Sequence, residues 1–284
     1  MKAIVFPGQG AQFTGMGKDL YDNNEVAREM MEKANEILGF RLTDVMFEGD
    51  AEALKQTKVT QPAVFLHSVV LAKCMGNEFC PDMVGGHSLG EFSALVAAGA
   101  LDFEDGLKLV YARALAMQKA CEAAPSTMAA VIGLDDKTIE DICAETTAEG
   151  NGVVVAANYN CTGQLVISGN IEAVNAACDK LKAAGAKKAV ILPVSAPFHS
   201  TLMKPAAEKL AVELDKVTLS DARIPVVANV NAQVLTKAED IKASLVAQAA
   251  SPVLWEDCVA KMKEFGADVL LEAGPGKTLC GFNR

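Results

Sequence analysis

A Gly-His-Ser-Leu-Gly run at residues 86–90 restricts what this chain can fold into more than any other segment. Met83 and Val84 close a short apolar stretch, and Leu89 to Leu101 carries the pattern of a helix. A serine between two glycines at a strand-to-helix junction can be held on a sharp, strained corner with its hydroxyl exposed. The glycines leave room for tight backbone, and the first N–H groups of the following helix can face an oxyanion. Ser88 is the candidate nucleophile.

The rest of the chain supplies layers for such a corner. An opening strand, Lys2 to Phe6, runs into the loop Pro7-Gly8-Gln9-Gly10. Helical patterns follow at about 24–38 and 62–75, then the elbow, then a long helix from Phe103 to Ala123. Alternating strand and helix predicts an α/β fold with a parallel sheet. Residues 128–194 have a different rhythm: strand, helix, strand, strand, helix, strand. That β-α-β-β-α-β order is that of a ferredoxin-like unit inserted in the larger one. The expected organisation is a discontinuous large α/β domain, 1–125 and 196–284, with a small subdomain at 126–195. After the insert, the pattern predicts strand 224–229, helices 239–249 and 253–265, and strand 269–272.

Composition removes several classes of function. A formal net charge of −10 argues against nucleic acid as the main partner. No apolar run reaches the length of a membrane span, and MKAIVFPGQG reads as strand and turn rather than as a signal peptide. The eight cysteines are scattered, without a C-x-x-C pair or a histidine at ligand spacing. Reduced thiols in a cytoplasmic protein without structural metal are the expectation.

A serine hydroxyl needs a base, and the chain holds three histidines. His67 lies inside an apolar helix pattern, AVFLHSVVLA, where a structural role is expected. His87 precedes the serine, so its side chain should leave the corner in another direction and pack beneath it. His199 follows the last strand of the insert in the loop Ser195-Ala-Pro-Phe-His-Ser200, a place for a base overhanging a cleft. Elimination selects His199. No acid is singled out as a third member, and a backbone carbonyl can also set the tautomer of the base. Two phosphate-loop look-alikes fail. Phe13 stands where a dinucleotide fingerprint after Gly8-Gln9-Gly10 needs glycine, and Leu271 where a P-loop ending in Gly276-Lys277-Thr278 needs its first glycine.

Several motifs then occur in order: FPGQGAQ from Phe6, TQPA from Thr60, GHSLGE from Gly86, the Arg113 helix, Phe198-His199, and EAGPG from Glu272. Together, and over essentially the whole length, they resemble the malonyl-CoA:acyl carrier protein transacylase family. Members usually continue some tens of residues past Gly-Pro-Gly-Lys, whereas this sequence stops at Arg284. The resemblance implies an α/β-hydrolase-like core with an inserted ferredoxin-like subdomain.

It also implies roles. Ser88 matches the nucleophile, His199 the base, and Gln248 the residue whose main-chain carbonyl orients that base. Gln9 and Leu89 match the pair whose N–H groups form the oxyanion hole. Arg113 matches the arginine that grips the malonyl carboxylate, and Met117 lies one helical turn on. Phe198 would sit beside the malonyl methylene and favour a substrate without an α-methyl branch. The implied substrates are malonyl-CoA and the phosphopantetheine thiol of acyl carrier protein, in support of fatty acid biosynthesis, with no further cofactor. Lys180, Lys182, Lys187 and Lys188, on the last helix and strand of the insert, are expected to help dock an acidic carrier. A monomer is the starting expectation. The alternatives are a serine hydrolase or thioesterase, a freestanding acyltransferase of a polyketide-type pathway, and a non-catalytic carrier-binding protein on the same fold.

Overall fold

The computed structural model describes residues 1–283. Its strands are β1 (Lys2–Phe6), β2 (Met83–Gly86), β3 (Ser126–Ile132), β4 (Val154–Cys161), β5 (Gln164–Asn170), β6 (Lys188–Ile191), β7 (Val226–Val227), β8 (Val234–Leu235) and β9 (Val269–Glu272). They form two sheets.

The five-stranded sheet has the order β8-β7-β2-β1-β9. All its pairs are parallel except β7 with β8. Side chains alternate across β1: Ile4 and Phe6 enter one apolar layer, Ala3 and Val5 the other. The first layer is closed by the helices Thr57–Cys74, Gly90–Ala97 and Phe103–Ala123, the second by Trp255–Phe265. With both faces covered, the inner strands are apolar and buried beyond Lys2, as parallel strands are. Phe6 and Gly86 stand opposite each other in the β1–β2 register, so the loops after both strands leave from one edge. That edge carries the site.

The four-stranded sheet is antiparallel in the order β4-β5-β3-β6. The helices Asp136–Ala148 and Ile171–Ala183 cover one face, with Ile139, Val174 and Leu181 packed on Ala129, Val131, Leu165 and Ile167. This is the ferredoxin-like β-α-β-β-α-β arrangement, and Asp135 caps its first helix by accepting from Thr138 N–H. The other face meets the larger sheet's surroundings: Met128 and Val166 share an apolar cluster with Met117, Phe198 and Met203. A parallel bridge between Asn158 and Val253 joins the two halves by main chain.

Several elements differ from the sequence expectation, among them the helix Lys204–Leu214 and the edge strand β8, which it did not include. The helix before the elbow begins at Thr57, with Pro62 inside it, rather than at Pro62. Thr60, Gln61 and Pro62 are buried, and packing carries the helix through the proline. The strand expected at 224–229 narrows to Val226–Val227, because Ala228 and Asn229 leave the ladder for a tight turn at Ala232, φ 54°. Among the described residues no helix is long and apolar enough to cross a membrane.

Candidate active site

The corner at Ser88 is built by close packing. Ser88 has φ 53°, in the left-handed region that costs a non-glycine residue energy. A Cβ on Gly86 would lie 1.9 Å from Gly90 backbone, and one on Gly90 would lie 2.1 Å from the Phe6 carbonyl oxygen. No side chain fits at either position. His87 N–H donates to Phe6 O at 3.0 Å, which clamps the turn to the end of β1.

Both peptide groups flanking the serine are held by side chains from far along the chain. Ser88 N–H donates to Asn229 Oδ1 at 2.7 Å, and Gln248 Nε2 donates to Ser88 O at 2.9 Å. Asn229 Nδ2 donates in turn to Gly86 O at 2.7 Å. These bonds, together with the glycine packing, offset the strain of the corner.

His199 is brought to the serine from the segment after β6. Its Nε2 lies 2.8 Å from Ser88 Oγ, while its Nδ1 faces two carbonyl oxygens, Gln248 O at 3.0 Å and Ser251 O at 3.1 Å. Carbonyls only accept, so Nδ1 carries the proton and Nε2 is left to accept from the serine hydroxyl. His199 also has a left-handed backbone, φ 59°. Burial, and after it the nearby Arg113 charge, lowers its pKa to about 3, so the ring is neutral across the physiological range.

Arg113 is 2% exposed, an unusual condition for a guanidinium. Nη1 donates to Gln61 Oε1 at 2.7 Å, and Nη2 donates to Gln248 Oε1 at 2.9 Å and to Ser88 Oγ at 3.2 Å. The cation also lies 5.3 Å from the Phe92 ring centroid. Burial lowers its pKa to about 10, which leaves it charged, and Glu91 acts in the opposite direction. Glu91, itself 2% exposed, is pushed up to about 7 by burial, against the pull of Gln248, Asn229 and Arg113.

A cavity of about 350 Å³ opens onto this group and is lined by Gln9, Gln61, Ser88, Leu89, Phe198 and His199. Among the described residues, neither Gln9 N–H nor Leu89 N–H is taken up by an acceptor. Phe198 and Met117 belong to one apolar cluster, and Met117 Sδ lies 3.3 Å from Gln61 Nε2. Arg113 and Met117 do not line the cavity; Gln61, which does, bonds to both, and Ser88 bonds to Arg113. Ser88, His199, Gln9, Leu89 and Phe198 thus line one cavity, Arg113 and Gln248 bond to its lining, and Met117 shares a cluster with Phe198.

The other two histidines do not reach the serine hydroxyl. His87 points beneath the corner, its Nε2 2.8 Å from Asn160 Oδ1 and its ring against Trp255 and Phe282. His67 is buried in its helix, where desolvation lowers its pKa to about 4. Lys180 is engaged by Glu145 and Glu149, while Lys182, Lys187 and Lys188 are exposed. No His, Cys, Asp and Glu grouping among the described residues could hold a metal ion.

Sequence reasoning passed over Asn229, Gln61 and Glu91 as site residues. Asn229 has no motif around it. Gln61 and Glu91 were in plain view, in TQPA and GHSLGE, without a role. A lone acid in the apolar run GEFSALVAAGAL was the signal for Glu91: an acid there is buried by its neighbours and needs partners.

Known proteins resemble this chain over nearly its whole length. The acyl transferase domain family matches residues 3–280. The chain is 46% identical over 280 residues to the malonyl CoA-acyl carrier protein transacylase of Bacillus subtilis, covering 98% of this chain and 88% of that one. It is 45% identical to the Escherichia coli enzyme of the same name, covering 99% and 91%. Among solved structures it is similar to an acyl carrier protein S-malonyltransferase from Vibrio cholerae, with TM-score 0.94 and 43% identity over 99% of this chain and 92% of that one. It is also similar to a malonyl-transacylase solved with a type II polyketide synthase acyl-carrier protein, with TM-score 0.95 and 41% identity over 99% and 91%.

Proposed function

The chain belongs to the acyl transferase family and is a malonyl-CoA:acyl carrier protein acyltransferase of the kind that supplies fatty acid biosynthesis; from that premise we propose that Ser88 and His199 carry the transfer in two half-reactions. In the first, Ser88 Oγ attacks the malonyl thioester carbon while His199 Nε2 takes the hydroxyl proton. The tetrahedral oxyanion collapses, the C–S bond breaks, and the imidazolium returns the proton to the departing CoA thiolate. In the second, the carrier's phosphopantetheine thiol gives its proton to His199 and attacks the malonyl-serine ester. Collapse then returns the proton to Ser88 and leaves malonyl on the carrier.

The N–H groups of Gln9 and Leu89 face the oxyanion in both halves. Losing one such donor typically costs about 3–4 kcal/mol. The Gln248 carbonyl keeps His199 in the tautomer the reaction needs and stabilises the imidazolium that forms, the part an acid takes in a serine triad.

Arg113 selects the acyl group. Its two Nη atoms are held by the amide oxygens of Gln61 and Gln248, in a plane suited to a bidentate acceptor. A malonyl carboxylate makes charge-assisted bonds roughly twice as strong as those of an amide oxygen, so it displaces Gln61 from the guanidinium. Acetyl has nothing to exchange. Phe198, with Met117 behind it, closes the space beside the methylene. We assign residues 126–195 to the small subdomain and the remainder to the large one. We read the protein as a cytoplasmic monomer that binds no nucleic acid and uses no metal.

The single observation that carries this reading is the 2.8 Å contact between Ser88 Oγ and His199 Nε2 with a buried arginine 3.2 Å from the same oxygen. The test is incubation with labelled malonyl-CoA without carrier protein, followed by intact mass. A malonyl adduct on Ser88 that is discharged on adding carrier is the expected result. Continuous CoA release with free malonate accumulating would assign a hydrolase instead.

A further inference from the structure

Glu91 has no part in the two half-reactions, yet it is 2% exposed beneath them. It is the second residue of the Gly90–Ala97 helix, directly behind the serine corner. Its Oε2 accepts from Asn229 N–H at 3.2 Å and from Gln248 Nε2 at 3.0 Å. Each donor is a residue that holds Ser88. Asn229 takes the Ser88 N–H through Oδ1, and Gln248 gives its Nε2 to the Ser88 carbonyl.

Gln248 does more than brace the serine. Its Oε1 accepts from Arg113 Nη2 and its main-chain oxygen accepts from His199 Nδ1. An amide has one end that donates and one that accepts. With a guanidinium on one side and a carboxylate on the other, only one orientation of Gln248 satisfies both. Arg113 and the Ser88 carbonyl already demand that orientation, and Glu91, as a second acceptor on Nε2, pins the amide in it and with it the pose of the arginine. Asn229 and Gln248 are both fully buried, so neither finds water as a substitute partner.

We infer that Glu91 is a positioning residue of the transfer reaction: its carboxyl oxygen, reaching Asn229 and Gln248 together, holds the nucleophile corner, the carbonyl behind the base and the substrate arginine in register. This rests on the assignment of Ser88 and His199 given above. What matters is an acceptor oxygen at that reach, and two conservative variants separate reach from charge. Glu91→Gln keeps the reach and an acceptor and removes the charge. Glu91→Asp keeps the charge and withdraws the acceptor by one methylene.

The experiment is single-turnover acylation by malonyl-CoA and by acetyl-CoA, followed by intact mass, for the parent, both variants and Ser88→Ala. Thermal melts set a working temperature well below every transition. Glu91→Gln is expected within about threefold of the parent. Glu91→Asp is expected to lose about thirtyfold or more in the acylation rate with both donors, since the serine corner itself loosens. Its half-saturation for malonyl-CoA should also rise several-fold, because Arg113 loses its fixed acceptor; acetyl-CoA should show no such rise. Parent-like rates in Glu91→Asp overturn the inference, whether or not its melting point falls, because Glu91 then serves stability alone. Glu91→Gln falling as far as Glu91→Asp overturns it too, since the amide keeps the acceptor. An adduct that persists in Ser88→Ala sinks the underlying assignment instead, and that result is read independently of the Glu91 variants.

Discussion

Arg113 Nη2 lies 3.2 Å from Ser88 Oγ, so the buried cation and the attacking atom are hydrogen-bond neighbours. A substrate anchored at one and attacked at the other must carry a carboxylate one carbon away from its thioester carbonyl. Malonyl has that spacing.

Replacing Arg113 by alanine should therefore change which donor is used, not whether the serine reacts. Two charge-assisted bonds of roughly 1.5–3 kcal/mol each correspond to about a 10²- to 10⁴-fold loss in kcat/KM for malonyl-CoA. Acetyl-CoA should be used about as well as by the parent. Transfer assays with both donors check this; an unchanged malonyl-to-acetyl ratio would contradict it.

The low pKa of His199 has two consequences of definite sign. A neutral base remains available below the ordinary histidine range, so serine acylation should show no acid limb centred at 6.5. For stability, the folded state binds fewer protons than the unfolded chain between about 3 and 6.5. The penalty is absent above that window and grows as pH falls through it. Relative to a His199→Gln variant, the parent's melting temperature should drop on acidification from pH 6.5. A constant difference between the two across pH 4–8 would refute the assignment.

Gly90→Ala should destabilise by about 3 kcal/mol or more, because its Cβ would stand 2.1 Å from the Phe6 carbonyl and neither backbone can move aside. Gly281→Ala is the control. A Cβ there meets nothing within 4 Å, and a change within about 0.5 kcal/mol is expected. Thermal or denaturant melts of the two variants decide it.

Carrier docking can be tested on three of the four lysines expected to dock the carrier, those that are exposed. Reversing Lys182, Lys187 and Lys188 to glutamate should raise the KM for carrier protein several-fold at low salt, and less at high salt. The KM for malonyl-CoA should stay unchanged. Lys180 belongs to its pairs with Glu145 and Glu149 and should matter less. An unmoved carrier KM places docking on another face.

The pair Ser88 and His199 was legible in the chain because each follows a local rule: a glycine-flanked serine at a strand end, and the one histidine left in a loop. The strands of the insert and β1, β2, β7 and β9 were legible for the same reason, since period and turn chemistry are local; the two-residue antiparallel edge strand β8 was too short to show a period. Arg113 and Gln248 came only with the resemblance; nothing around either residue announces burial of a cation or a carbonyl aimed at a base. Asn229 was out of reach altogether. It acts on Ser88 from 141 residues away, and that meeting is made by β7 lying beside β2, a consequence of sheet order. The helix start at Thr57 was missed because a proline's local preference yielded to packing.

The distance along the chain between Ser88 and its last brace also orders events during synthesis. Gln248 stands 160 residues after the serine carbonyl it holds. A ribosome therefore releases the G-x-S-x-G segment long before the base and its carbonyl partner have been made. The growing polypeptide carries a serine without its base or bracing carbonyl through most of its translation, and the partners that make it reactive are complete only once the final third has been made.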